Sequence, residues 1–478
     1  MDMFIDGHSV PAQSGQRLSV TDPATGEAFD SVPLGGAEDA GIAIASAARA
    51  FESWKRIPMS ERVRLQKACA QAMRDNAERI GTVLHRELGR PLAGCVGEIA
   101  RSADLLDIYA EEGLRLQATM ALGAAPGERT VVTRDPVGVV VAITPFNYPI
   151  TLLMFKLGAA LIAGCPVVVK PSEDTPLSTI LLAELFHATG LPAGLFNVVT
   201  GDRALGEALV AHPVPRKVAF TGSVPAGKAI AAACAGTMKR VTLELGGHSA
   251  AIVCADADLD RAAAAITRHG FANSGQFCYR VNRVYIERTV YDAMLERLAT
   301  GAEGLTLAPA GGQGDLGPLV NDRIFANSER QIADARAKGA RILTGGTRAS
   351  GPGFAQGHYL PPTLIADATP EMLVMREETF GPVIGLSPVD NPAEALRLAN
   401  DSRFGLAGFV FTRDLATGLA LCEGIEAGSV WLNDIQRSSH YVPFGGMKES
   451  GLGREKGRYG VESYLEYKTM YLSWEEAL

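Results

Sequence analysis

The chain has 478 residues, and 53 Asp+Glu against 45 Lys+Arg give a formal net charge of −8. At roughly 100–200 residues per domain the length implies two to four domains, and 47% hydrophobic against 21% charged residues excludes a globally disordered chain. An acidic balance without a long Lys/Arg run argues against nucleic acid or an anionic membrane as partner. Glycine is abundant, at 52 residues against a usual share of about 7%, so many backbone positions call for tight turns or close approach. The seven cysteines are odd in number and none forms Cys-x-x-Cys, which points to neither a disulfide framework nor a zinc ribbon. No metal is expected. The N-terminal residues lack the basic and apolar regions of a signal peptide, and a soluble cytoplasmic protein is expected. Residues 152–169 are apolar enough to suggest a membrane span, but they carry Lys156, Gly158, Gly164 and Pro166 and read better as a helix followed by a buried strand.

In chain order, residues 39–56, 60–89 and 97–116 carry apolar residues at helical spacing, with Ser60 as a candidate cap of the second helix. From Val137 the pattern alternates. Strands are predicted at 137–143, 166–170, 196–200, 217–220 and 241–245, with helices at 150–163, 177–189, 203–211 and 226–235 between them. Such βαβα alternation predicts a parallel sheet covered on both faces, with ligands beyond the carboxyl ends of its strands. That rim collects residues 144–147, 170–173, Gly201, Gly222 and Ser223. A second α/β run has strands at 250–255, 283–287, 341–344 and 430–433 and helices at 259–273, 322–338 and 391–400. Residues 121–135 and 469–474 fit neither run and suggest a sheet shared between subunits.

Six cysteines lie in bland helical or apolar surroundings and read as inert core thiols. Cys278 instead sits in a Gly-containing turn, Asn273-Ser274-Gly275-Gln276-Phe277-Cys278, with Arg280 and Arg283 just beyond to favour a thiolate. A nucleophilic cysteine needs a base and a donor for the oxyanion. None of the eight histidines lies in an informative motif, although His248 and His440 follow small residues. Glu244, at an apolar strand end before Gly246-Gly247, is the better base, and Asn147, in a turn stiffened by Pro145 and Pro149, can supply an amide. Residues 222–228, Gly-Ser-Val-Pro-Ala-Gly-Lys, match the first seven positions of a phosphate loop, but Ala229 replaces the Ser or Thr that holds Mg²⁺. A phosphate-loop nucleotide hydrolase is therefore the remote alternative. The turn and following helix still suit a diphosphate.

Taken together, these segments resemble the aldehyde dehydrogenase superfamily. The resemblance is carried by Thr144-Pro145-Phe146-Asn147, Lys170-Pro171-Ser172-Glu173, Phe220-Thr221-Gly222-Ser223, Leu243-Glu244-Leu245-Gly246-Gly247, Gly275-Gln276-Phe277-Cys278, Glu377-Glu378-Thr379-Phe380-Gly381-Pro382 and Pro443-Phe444-Gly445-Gly446, collinear over about 300 residues. It implies an α/β fold with a Rossmann-like cofactor domain (1–117 and 137–246), a catalytic domain (247–440) and a small oligomerisation arm (118–136 and 459–478), in a homodimer or homotetramer. It also implies oxidation of an aldehyde by NAD, with Cys278 as nucleophile, Asn147 as oxyanion donor and Glu244 activating water to release a free acid. Lys170 and Glu173 would meet the adenosine ribose, where a carboxylate favours NAD over NADP. Gly222 and Ser223 would meet the pyrophosphate, Glu378 and Phe380 the nicotinamide ribose, with Thr144 and Phe146 lining the same cleft.

The loop 433–440 is similar in length and in its Ser438-Ser439 pair to the succinate-semialdehyde branch. That branch commonly has arginines where this chain has Phe155 and Ala272. The expected pocket therefore comprises Arg280 as anion anchor, Ser439, Phe155 and Phe444. Two substrate classes stay open: a small acidic, semialdehyde-type aldehyde, and a neutral aliphatic or aromatic one.

Overall fold

Five parallel strands form the middle of the first sheet in the computed structural model, which describes residues 1–435 and 438–474. In space they run Phe196–Val198, Val167–Lys170, Val140–Ile143, Lys217–Thr221, Arg240–Glu244. These strands are valine-rich because both faces are covered. Val141, Val168 and Val218 point into a core shared with the helices Ala37–Trp54 and Arg203–Ala211, while Val140, Ala142, Val167 and Val169 point into a core shared with Pro149–Ala163 and Leu177–Ala188. Alternation along each strand thus feeds two separate cores. The helix Pro149–Ala163 is buried on nearly every side, so the apolar run 152–169 is a core helix that turns at Gly164 (φ 98°) into the strand Val167–Lys170. No helix among the described residues is long and apolar enough to cross a membrane.

The second sheet runs Arg341–Thr344, Thr363–Ala366, Val383–Val389, Val281–Glu287, Ser249–Val253, Ala407–Phe411, Ser429–Leu432, parallel except at its first strand. A third sheet pairs Glu128–Pro136 with Leu465–Ser473 on one side and Thr119–Leu122 on the other, all antiparallel. It presents Met120, Leu122, Tyr467, Tyr471 and Trp474 to solvent.

Several local expectations need correcting. The helix expected over 60–89 is two, Met59–Asp75 and Ala77–Leu88, broken at Asn76, whose side-chain amide donates to the Ala72 carbonyl (2.9 Å). Pro58, not Ser60, stands at the first helix's N-cap. The strand Gly451–Leu452 adds antiparallel to Arg240–Glu244, and the helix Gly457–Glu462 packs on Leu92–Leu114 and Pro149–Ala163. The chain thus returns to the first sheet after residue 440, before the strand Leu465–Ser473 begins.

Candidate active site

The strand register sets Ile143 level with Lys170 and with Phe220, and Thr221 level with Glu244. Chain order reverses between Val140–Ile143 and Lys217–Thr221, which opens a crevice at their carboxyl ends. A cavity of about 470 Å³ lies there. Its walls include all eight expected cofactor residues (Thr144, Phe146, Lys170, Glu173, Gly222, Ser223, Glu378 and Phe380) together with Asn147 and Cys278.

Cys278 is delivered by a strained turn. Asn273, Ser274 and Gly275 follow one another at φ 50°, 54° and 74°, in the left-handed region that residues with a Cβ seldom occupy. Tertiary contacts hold it. The Asn273 amide donates to the Asn147 carbonyl (3.1 Å), Ser274 Oγ to the Gly317 carbonyl (2.7 Å), and Val320 N–H donates to Gln276 Oε1 (3.0 Å). The first of these bonds ties the cysteine turn to the asparagine turn. Gly247 closes the other side, where a Cβ would stand 2.1 Å from the Cys278 carbonyl oxygen. Gly247→Ala is therefore expected to lower stability by about 1–3 kcal/mol and to depress turnover, read as a lower melting temperature alongside a lower kcat.

The asparagine turn is fixed by Glu98, whose Oε1 accepts from the N–H groups of Ile150 (3.1 Å) and Thr151 (2.9 Å) at the start of Pro149–Ala163. Arg90 pairs with Glu98 and lies over the Tyr148 ring at 4.6 Å. Asn147 is buried, with its Oδ1 unpartnered. Cys278 is part-exposed to the cavity, and its thiol is pushed up by burial first and then by the negative charges of Glu378 and Glu244. The flanking arginines do not offset this. Arg283 donates to the carbonyls of His248 (2.8 Å) and Ala399 (3.1 Å).

Glu244 ends its strand with both carboxylate oxygens buried and unpartnered. Burial raises its carboxyl well above the ordinary value, Glu455 adds to the rise, and the cations Lys156, Arg454 and Lys456 oppose it. Behind it lies a buried ion pair that sequence reading missed: Lys156 Nζ meets Glu455 Oε1 at 2.8 Å and Thr221 Oγ1 at 2.6 Å. Removing one partner of such a pair strands a charge at a cost of about 3–5 kcal/mol. The available signal was Lys156 itself, a lone cation in an apolar helix.

At the far end of the cavity Lys170 Nζ donates to Glu173 Oε1 (2.9 Å), and Glu173 is exposed. Thr144 Oγ1 is buried without a partner. Ser223 is the N-cap of Val224–Ala235, and a Cβ on Gly222 would meet the Phe220 ring at 2.4 Å. Near Cys278, Glu378 Oε1 accepts from Gly247 N–H (3.0 Å), and burial raises its carboxyl to about 7. Phe146 and Phe380 meet edge-on at 5.7 Å. Lys228, the lysine of the phosphate-loop near-match, pairs with Glu449 at 2.6 Å and does not line the cavity.

The expected substrate residues divide. Phe155 and Phe444 are buried and share a cluster with Tyr279, His440 and Lys456: Phe155 lies 6.3 Å from the His440 ring and Phe444 5.4 Å from Tyr279. Arg280 is not an anion anchor. Its guanidinium is fully buried, donates to the carbonyls of Val281 (2.9 Å) and Val383 (2.8 Å), and is absent from the cavity wall. Ser439 is exposed, and its Oγ accepts from Tyr441 N–H (3.2 Å). Its neighbour Ser438 reaches the cluster instead, accepting from Lys456 Nζ. Gln436 and Arg437 of the expected loop lie outside the described residues. Neither His248, bound to the Val374 carbonyl (3.0 Å), nor His440 hydrogen-bonds Cys278.

A crevice of dinucleotide-binding type with a cysteine on its wall fits an oxidoreductase. Residues 10–470 match the aldehyde dehydrogenase family, to which the chain belongs. It is 40% identical over 471 residues to the 3-sulfolactaldehyde dehydrogenase of Pseudomonas putida, covering 98% of this chain and 96% of that protein. It is 39% identical over 469 residues to the NADP(+) succinate-semialdehyde dehydrogenase GabD of Escherichia coli, covering 98% and 96% respectively. A crystal structure of succinate-semialdehyde dehydrogenase from Burkholderia pseudomallei superposes with a TM-score of 0.96 at 38% identity, over 99% of this chain and 98% of that one.

Proposed function

We propose that the protein oxidises a small aldehyde to the free carboxylic acid with NAD, through a thiohemiacetal and a thioester on Cys278. The observation that carries this reading is that the Cys278 thiol and the Asn147 amide share the cavity wall, while the Glu244 carboxylate, off that wall and without a partner, is near enough for its charge to raise the Cys278 thiol. The residues present fit a nicotinamide dinucleotide. The unpartnered Thr144 hydroxyl, the tight Gly222 turn at a helix N-terminus and the Lys170–Glu173 pair supply donors, close approach and a ribose contact. When bound, NAD would accept the hydride.

The protein's own residues do the rest. The Cys278 sulfur adds to the aldehyde carbon, and the Asn147 amide with the Cys278 N–H holds the developing oxyanion. After oxidation, Glu244 takes a proton from water, which attacks the thioester and frees the acid and the thiol. A carboxylate left without partners is suited to orient water rather than to hold the fold together.

Glu173 supports NAD over NADP, since its carboxylate would repel a 2′-phosphate. Glu173→Ala is expected to narrow the NAD/NADP ratio in kcat/KM by about 10-fold, measured with both cofactors; an unchanged ratio would remove Glu173 from cofactor choice. The relatives named for 3-sulfolactaldehyde and succinate semialdehyde support a small acidic substrate. The apolar residues exposed on the third sheet support its role as an oligomerisation arm, in a homodimer or homotetramer. An NADH-absorbance screen across aldehydes, with Cys278→Ala as control, tests the reading as a whole.

A further inference from the structure

We propose that Lys456 is the specificity-determining cation of the substrate pocket and selects short aldehydes that carry a terminal anion, carboxylate or sulfonate. This rests on the aldehyde oxidation proposed above. Lys456 is buried off the wall of the 470 Å³ cavity, against the two aromatic rings expected to meet substrate, with Nζ 4.9 Å from the Phe155 centroid and 4.6 Å from the Phe444 centroid. It donates to Ser438 Oγ, one of the three donors an ammonium carries. Among the described residues no carboxylate stands within 4.0 Å of it, although it is buried. A buried cation without an ion-pair partner is costly, and an incoming anion would supply that partner.

The backbone points the same way. Lys456 sits at φ 69°, ψ 158°, a region that residues other than glycine rarely adopt, and Gly457 follows at φ 51°. Glycine at 456 would relieve the strain, so the strained position is held with a side chain that reaches the cluster. Burial lowers the ammonium to about 8, while Glu455, Glu244 and Cys278 favour its charge, which places Nζ within electrostatic reach of the reacting groups. Farther out, His440 is lowered to about 4 by burial, with Lys456 and Arg101 both disfavouring its protonation. Asp104 opposes them but is itself paired with Arg74 at 2.8 Å. Of the carboxylates that act on Lys456, Glu455 is paired with Lys156 and Glu244 stands beyond ion-pair distance. Arg280, buried on backbone carbonyls, contributes nothing to the cluster.

The test compares kcat and KM for succinate semialdehyde, 3-sulfopropanal and butanal in the wild type, Lys456→Met and Lys456→Arg. The wild type is expected to prefer the anionic aldehydes. Lys456→Met is expected to lose at least about 10-fold more kcat/KM on them than on butanal, chiefly through KM, and Lys456→Arg to keep most of the preference. Independently of any variant, succinate is expected to compete with butanal in the wild type where butanamide does not. An equal loss on all three aldehydes, or equal competition by succinate and butanamide, overturns the inference and leaves aldehyde oxidation standing. No NADH or NADPH from any aldehyde with the wild type overturns the oxidation reading and the inference with it.

Discussion

Cys278→Ala is expected to abolish aldehyde-dependent NADH formation, a loss of about 10⁴-fold or more in kcat, while NADH still binds. The thiol is on the cavity wall, whereas Cys69, Cys95, Cys165, Cys234 and Cys254 are buried elsewhere and Cys422, expected in the core, is half-buried off that wall. The turn that carries it is anchored by backbone and by Asn273, Ser274 and Gln276, so losing one sulfur leaves the scaffold in place. Cofactor binding, read by the fluorescence of NADH on titration, should be preserved because Lys170, Glu173 and Ser223 lie at the other end. Retained turnover would show that Cys278 is not the nucleophile.

The second large effect is expected from Glu244→Gln, with kcat falling by about 10²–10⁴-fold. The first turnover should survive. Thioester formation needs Cys278 and Asn147, so one equivalent of NADH per active site should appear as a burst before the reaction stalls. The pH dependence follows from the position of the carboxyl. Its folded-state value is raised, by burial and then by Glu455. The base works only when ionised, so wild-type kcat should be present above that raised value and fall as pH drops through it, at a higher pH than an ordinary carboxylate would give. The limb belonging to Glu244 should vanish in Glu244→Gln. Glutamine is nearly isosteric, and both oxygens of the native carboxylate are unpartnered, so no structural hydrogen bond is lost with the charge.

Much of this arrangement was legible in the sequence, for physical reasons that differ by element. The parallel sheet announced itself because strands buried on both faces must be nearly all apolar, as Val167–Lys170 and Val140–Ile143 are. The N-terminal hairpin was missed. Met3–Ile5 and His8–Val10 have only three residues each, yet Asp6-Gly7 between them, at φ 54° and 81°, is a strong short-range hairpin signal. In the second sheet Val383–Val389 escaped because Gly385 and Pro388 interrupt its apolar run. The helix 60–89 was merged because nothing but Asn76 marks the break.

At the site, the residues that line the cavity were legible because strand–turn–helix units set their position locally. Side-chain direction was not. Arg280 lies two residues beyond Cys278, and only the packing of Val281–Glu287 against Val383–Val389 turns it onto carbonyls and away from the cavity. Glu455 and Lys456 were invisible for another reason: Glu455 meets Lys156 across 299 positions of sequence. No periodicity carries that information. Lys456 reaches Phe155 and Phe444 only once the return of the chain through Gly451–Leu452 has been built.

The central claim is that an acyl group passes through Cys278 and leaves by way of Glu244. Intact-protein and peptide mass spectrometry on the Glu244→Gln enzyme, quenched after mixing with aldehyde and NAD, tests it most directly. The expected result is a single acyl adduct on the peptide that contains Cys278, absent when NAD is omitted and absent in Cys278→Ala. An enzyme that turns over at the wild-type rate without any adduct, or an adduct on another residue, would contradict it.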